Sequence, residues 1–144
     1  MTNRDLAGSL IRQAESRKAA LRVAMEDENW AYVVRLSQEV VELSLKAILN
    51  YAGVEPPKWH DVGTLVVQYR HRLPTQLASR ANELARISAR LRGDRERSMY
   101  GDEVLGRGPD ELYGREDAEQ ARRWAEDILN WKTCLITLGC LEMH

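Results

Sequence analysis

Cysteine, proline and strand patterning are all scarce in this chain, and each scarcity narrows what it is. Only two cysteines occur in 144 residues. Cys134 and Cys140 stand six apart in a helical stretch, so they point about 120° away from each other and do not pair locally. They read as free, buried thiols. With only four prolines, long segments run uninterrupted. No stretch alternates apolar and polar residues like a half-buried strand, and neither a repeat of ~20–50 residues nor a low-complexity tract occurs. The N-terminal MTNRDLAGSL carries charge near its start, and no segment reaches ~18 consecutive apolar residues. Neither a signal peptide nor a membrane contact is expected, and the cytoplasm is the expected compartment.

Charge and motif absences exclude further classes. The formal net charge of −1 rules out overall attraction to nucleic acid or membrane and leaves room only for a local basic patch. His60, His71 and His144 show no Glu-x-x-His or His-x-x-x-His spacing, and the cysteines form no Cys-x-x-Cys. No metal and no cofactor is therefore expected. Gly-x-Ser-x-Gly and P-loop patterns are missing, and GRG at 106–108 is too short for a phosphate cradle.

What is present is helical periodicity. A chain that is 44% hydrophobic and 30% charged at this length describes one helix-rich domain over 1–144 with a core of its own. The longest uninterrupted helix runs from Trp30 to Gly53. At roughly 100° per residue, Trp30, Val33, Val34, Ser37, Val41, Ser44, Leu45 and Ile48 share one face. Tyr32, Leu36, Leu43, Ala47 and Asn50 flank it, leaving a polar stripe of only Arg35, Gln38, Glu39, Glu42 and Lys46. Neighbours should wrap such a helix on most sides. Gly53 suits its C′ position, and Pro56-Pro57 forbid continuation.

The other segments are shorter. Residues 3–26 form a first amphipathic helix through Leu6, Leu10, Ala14, Leu21 and Met25, and Asp27–Asn29 turns the chain back antiparallel. Asp61 is a plausible N-cap for a helix from Val62 to His71. From Pro74 a further helix presents Leu77, Ala81, Leu84, Ser88 and Leu91, weakened near its end by Gly93. Residues 101–114 make a glycine-rich loop with one short turn at Pro109–Leu112. A last helix is expected from Arg115 to about Gly139, with Ala118, Ala121, Ala125, Ile128 and Leu135 inside and Glu116 and Asp117 at its N-terminal dipole. The sum is an all-α bundle of about five helices.

One basic and aromatic cluster stands out, ARLRGDRERSMYGD at 89–102. Continuing the wheel from Leu77 places Arg86, Arg90 and Arg97 towards solvent, where an ordinary charged face suffices. Arg95 falls in line with Leu84, Ser88 and Leu91. An inward arginine needs a partner, and Glu42 or Asp102 would serve, unless Arg95 faces a ligand. Tyr100 is either a packed aromatic or part of the same site.

The segments SQEVVELSLKAILNYAG, PPKWHDVGTL, RERSMYGDE and ELYGREDAEQARRWAEDIL, in that order, resemble a HEPN domain, a helical module of higher eukaryotes and prokaryotes. The resemblance covers residues from about 5 to 135. It implies an antiparallel four-helix up-and-down bundle with a short extra helix, usually dimeric. It also implies a minimal nucleotidyltransferase partner from a neighbouring gene, the two acting as toxin and antitoxin. Many members are metal-independent RNases whose site is an Arg, four to six residues, then His. Here the arginine matches Arg95 and the histidine position falls on Tyr100. A phenol with its ordinary pKa near 10 does not perform at neutral pH the proton transfer of an imidazole. His60-Asp61 matches the family's His-Asp dipeptide, and Lys46 matches a lysine of the central helix.

These residues set up three readings. The first is a dimeric module binding a nucleotide, RNA or a nucleotidyltransferase through Arg95, Arg97, Tyr100 and Asp102, with Lys46 and Glu42 lining the cleft. The second is an RNase in which Arg95 stabilises phosphorane charge and Tyr100, or a residue from the second subunit, positions the 2′-hydroxyl. The third is a structural dimerisation module whose arginines make only internal ion pairs.

Overall fold

A computed structural model of the chain describes residues 3–56 and 61–131. His60, Cys134, Leu135, Cys140 and His144 lie outside the described residues, so nothing is added to their readings. The helices are α1 (Asn3–Glu26), α2 (Trp30–Tyr51), α3 (Val62–Gln68), α4 (Thr75–Ala78), α5 (Ala81–Gly93), α6 (Arg95–Tyr100), α7 (Pro109–Leu112) and α8 (Arg115–Leu129), with a 3-10 turn at Arg70–Arg72 after α3. Among the described residues the only β-type pairing is one antiparallel bridge, Asp102 with Arg107. The chain is all-helical, as its periodicity requires.

The α1–α2 hairpin is closed by hydrogen bonds that the sequence does not advertise. Glu28 N–H donates to Met25 O and Asn29 N–H to Ala24 O, the paired bonds of a Schellman ending, with Glu28 itself in the left-handed region at φ 55°. Asn29 then caps α2, its side chain accepting from Tyr32 N–H at 3.3 Å. At the other end of α2, Gly53 (φ 82°) is the expected C′ residue, with Val54 N–H bonded to Leu49 O.

α2 is the element that the others cover: α1, α3, α5, α6, α7 and α8 all pack on it. Val33, Val34, Ser37, Val41, Ser44, Leu45 and Ile48 are buried as expected, and Trp30 is half-buried. Full burial of a leucine or isoleucine such as Leu45 or Ile48 stabilises by about 1.5–3 kcal/mol. The polar stripe is also covered. Arg35, Glu39, Glu42 and Lys46 are half-buried and Gln38 is 4% exposed. Its carboxylates are paired locally, Glu39 with Arg17 of α1 at 3.8 Å and Glu42 with Lys46 at 3.8 Å. Tyr32 departs from expectation. It is 40% exposed, although its neighbours Ala31 and Val33 in the same turn are buried.

α1 buries Ala14 and Leu21 of the expected stripe, but neighbouring residues replace the other three. Ala7, Ile11, Ala14, Leu21 and Ala24 are buried, whereas Leu6, Leu10 and Met25 sit half-buried at its margin. Small residues at the centre let the helix approach α2 closely. A similar close approach joins α3 to α5. A Cβ on Gly63 would meet Ala85 Cα at 3.0 Å and Ala85 O at 3.2 Å.

Two expected helices are interrupted. The third stops at Gln68 and tightens into the 3-10 turn, leaving His71 exposed. The one from Pro74 divides into α4 and α5 at Ser79–Arg80, although Leu77, Ala81, Leu84, Ser88 and Leu91 remain buried on one side. The last runs Arg115–Leu129 with Asn130 as its C-cap and Trp131 again helical, and the remainder of the expected run to Gly139 lies outside the described residues. Asparagine is among the residues that commonly end helices.

Candidate functional site

The site begins where α5 stops. Asp94 N–H bonds to Leu91 O at 3.0 Å, three residues back rather than four, and this tighter turn separates α5 from α6. The expectation that Arg95 points inward is corrected by this break. Arg95 opens a new helix and is exposed, and among the described residues it pairs with neither Glu42 nor Asp102. The next inward position is filled by Ser98, which is buried and donates its hydroxyl to Arg95 O at 3.0 Å. A guanidinium without a carboxylate is costly to bury, and a serine that bonds its own helix is not. With Ser98 inward, Arg97 and Tyr100, three residues apart, share the outer side of α6.

Between α5, α6, α7 and α8 lies a cleft of about 260 Å³. Arg90 and Asp94 come from the end of α5, Arg97 from α6, Tyr113 from the residue after α7, and Glu116, Asp117, Gln120 and Trp124 from α8, with Leu91 and Val34 at the floor. Tyr113 ties the cleft together. Only 8% exposed, it donates its hydroxyl to Asp94 Oδ1 at 3.0 Å, with Asp94 O at 3.4 Å. Burial first, and the Asp94 carboxylate second, push its pKa well above the ordinary 10.0. Asp94 Oδ2 also lies 4.0 Å from Arg90 Nε. Asp117 is engaged as well, accepting from Gly114 N–H at 2.9 Å at the start of α8.

Arg97 is different. It is exposed, and no carboxylate lies within 4 Å of it among the described residues. Its guanidinium can take a bidentate anion at the mouth of the cleft, with Trp124 and Tyr113 providing aromatic surface beside it.

The other expected site residues are dispersed. Tyr100 is 70% exposed, neither packed in the core nor buried in the cleft. Asp102 is occupied by its own loop. Its side chain accepts from Leu105 N–H at 3.1 Å and its backbone pairs twice with Arg107. That loop needs Gly101, whose φ is 80° and where a Cβ would collide with Arg107 O. Glu42 and Lys46 pair with each other on α2, and Gln38 donates to Glu42 at 3.3 Å. Glu42 borders a recess of about 10 Å³ with Gln38, Ser88 and Arg92, room for one water. Leu91 walls that recess on one side and the Arg97 cleft on the other. The expected lining therefore falls into separate places.

Asp94, Tyr113 and Trp124 were not singled out by the sequence reading. Tyr113 lies within ELYG, one of the segments carrying the resemblance, but its partner is nineteen residues away across a loop. Asp61, by contrast, caps α3 as expected, accepting from Gly63 N–H at 3.0 Å, and also meets Arg92 at 3.4 Å. Among the described residues no three His, Cys, Asp or Glu side chains converge on a metal position, and no helix is long and apolar enough to cross a membrane.

Comparison with known proteins agrees with the helical architecture and the four ordered segments. No curated protein and no solved structure gives a significant match. The family model described as HEPN domain matches residues 7–135, most of the chain, and the protein belongs to the HEPN domain family.

Proposed function

We propose that this HEPN domain is a phosphate-recognising module that binds a nucleotide or RNA at the mouth of the α5–α8 cleft without cleaving it. The observation that carries this reading is Arg97. It is an exposed arginine lining a cleft, with no carboxylate within 4 Å among the described residues, and it shares the outer side of α6 with an exposed Tyr100. A guanidinium paired to phosphate and a phenol stacked on a base supply binding without a general base. Arg95, also exposed, adds a second cation to α6. The position where the family's RNases carry histidine is Tyr100, and among the described residues the only histidine, His71, stands on the 3-10 turn after α3.

The same reading includes finer architecture. Arg80, before α5, meets Asp127 near the end of α8, while Asp94, after α5, meets Tyr113 before α8. Arg115 at the start of α8 meets Glu28 before α2 at 2.9 Å. These contacts support α1, α2, α5 and α8 as a single-domain antiparallel four-helix up-and-down bundle. A homodimer, and pairing with a minimal nucleotidyltransferase as toxin and antitoxin in the cytoplasm, complete the proposal. Supporting a protein partner, Val104 and Leu105 stand 95% and 62% exposed on the loop following Tyr100, apolar surface of the kind that partners cover.

The test is a fluorescence-anisotropy titration with a short labelled single-stranded RNA and with labelled ATP, using the parent, Arg95→Ala and Arg97→Ala. Binding by the parent that weakens about tenfold or more in Arg97→Ala is expected. Equal binding by parent and variant would refute the site. RNA cleaved by the parent and spared by Arg95→Ala would replace this reading with the RNase.

A further inference from the structure

From Val62 to Asn82 the chain contains no aspartate or glutamate, although 22 acidic side chains are distributed over its 144 residues. Within that segment stand four basic side chains, Arg70, His71, Arg72 and Arg80. Arg80 is neutralised from outside the segment by Glu83 and Asp127. The other three are not. They form the 3-10 turn after α3, all are exposed, and among the described residues no carboxylate lies within 4 Å of any of them. The elements on either side, α3 and α4, have no carboxylate to offer. In a protein of net charge −1 this turn is an uncompensated positive point.

The turn is also held in shape. Arg72 N–H bonds to Tyr69 O at 2.9 Å and Leu73 N–H to Arg70 O at 3.0 Å, with the Leu73 side chain buried as an anchor. The Arg72 guanidinium carbon lies 5.5 Å from the centre of the Tyr69 ring, and the His71 ring lies 6.4 Å from it, inclined at 36°. Tyr69 is half-buried, so its ring orients the two basic side chains from below.

We infer that the Tyr69–Arg72 turn is a second binding site, one that takes the sugar-phosphate backbone of single-stranded nucleic acid. Arg70 and His71 face phosphates, and Arg72, braced on Tyr69, presents a planar guanidinium on which a base stacks. An anionic membrane surface fits less well, because Leu73 and Leu77 beside the turn are buried and, among the described residues, no large apolar side chain stands exposed next to it. The site is separate from the α6 cleft. The turn precedes α5 and the cleft follows it, and the 13 residues of α5 extend about 20 Å. The inference does not rest on the role of Arg97.

The experiment measures binding of a short labelled single-stranded RNA over a series of salt concentrations. It compares the parent, Arg70→Ala/Arg72→Ala, Arg72→Lys and Arg95→Ala/Arg97→Ala, each checked by circular dichroism for an unchanged fold. The turn double variant should bind about tenfold more weakly and lose about 0.7 from its log–log salt slope, the release expected for the one single-strand phosphate contact that Arg70 makes. Arg72→Lys should keep the parent's slope but bind more weakly, since charge remains and the planar stack is lost. Unchanged affinity and slope in the turn double variant would overturn the inference, whatever Arg95→Ala/Arg97→Ala does. Loss confined to the α6 variant would support the cleft alone, and loss confined to the turn variant would support the turn alone. Binding to phosphatidylserine vesicles with none to RNA would also overturn it.

Discussion

Tyr113 and Asp94 are joined at 3.0 Å, hydroxyl to carboxylate, across nineteen residues of chain. The bond fastens the loop before α8 to the point where α5 gives way to α6. It therefore sets the width of the cleft that Arg97 overlooks.

Removing this bond should cost stability. Tyr113→Phe keeps the buried ring and deletes one hydrogen bond to a charged acceptor, a loss of about 1.5–3 kcal/mol where that acceptor is buried and less here, since Asp94 keeps some exposure and its contact with Arg90. A melting temperature lowered by about 2–4 °C is expected for a loss near 1 kcal/mol. Identical thermal melts for parent and variant would contradict the role given to the bond.

The same tyrosine makes stability depend on alkaline pH. Its folded pKa is raised above the ordinary 10.0 by burial and by Asp94. The contribution is thus fully present below about pH 10, where both states keep the proton. It is lost as pH rises further, because the unfolded chain ionises first. Urea midpoints of the parent should fall above about pH 10 more steeply than those of Tyr113→Phe. Parallel curves would show that Tyr113 is not held neutral by the fold.

Gly63→Ala tests the contact of α3 with α5. The added methyl would sit 3.0 Å from Ala85 Cα, a backbone atom that cannot swing aside. Overpacking of this kind costs about 1–3 kcal/mol. A urea midpoint equal to the parent's would show that the two helices are farther apart than described.

Gly101→Ala tests the loop after Tyr100. Its φ of 80° and the collision with Arg107 O oppose any side chain, at about 1–3 kcal/mol. The Asp102–Arg107 pairing should open, so trypsin should cut after Arg107 faster than in the parent. Equal cleavage rates would argue against the paired loop.

The sequence made the helices legible where burial is periodic and local. The α2 face, the Gly53 ending and the Asp61 cap follow from spacing and from residues whose conformational preferences act within a turn. The breaks at Ser79–Arg80 and Asp94 did not announce themselves, because the stripe of Leu84, Ser88 and Leu91 continues through Ser98 as though the helix did. Extending the wheel across Asp94 therefore put Arg95 inside, whereas desolvation of an unpaired guanidinium keeps it out. The cleft was legible only through Arg97. Tyr113, Asp94 and Trp124 meet by tertiary packing of elements joined by a loop, and no local periodicity encodes that meeting.

The most direct test of the central claim is RNA integrity and binding measured together, at neutral pH in EDTA, for the parent and Arg97→Ala. The account predicts intact RNA in both samples, bound by the parent and bound about tenfold more weakly by the variant. RNA cut by the parent would contradict it and favour the RNase reading instead.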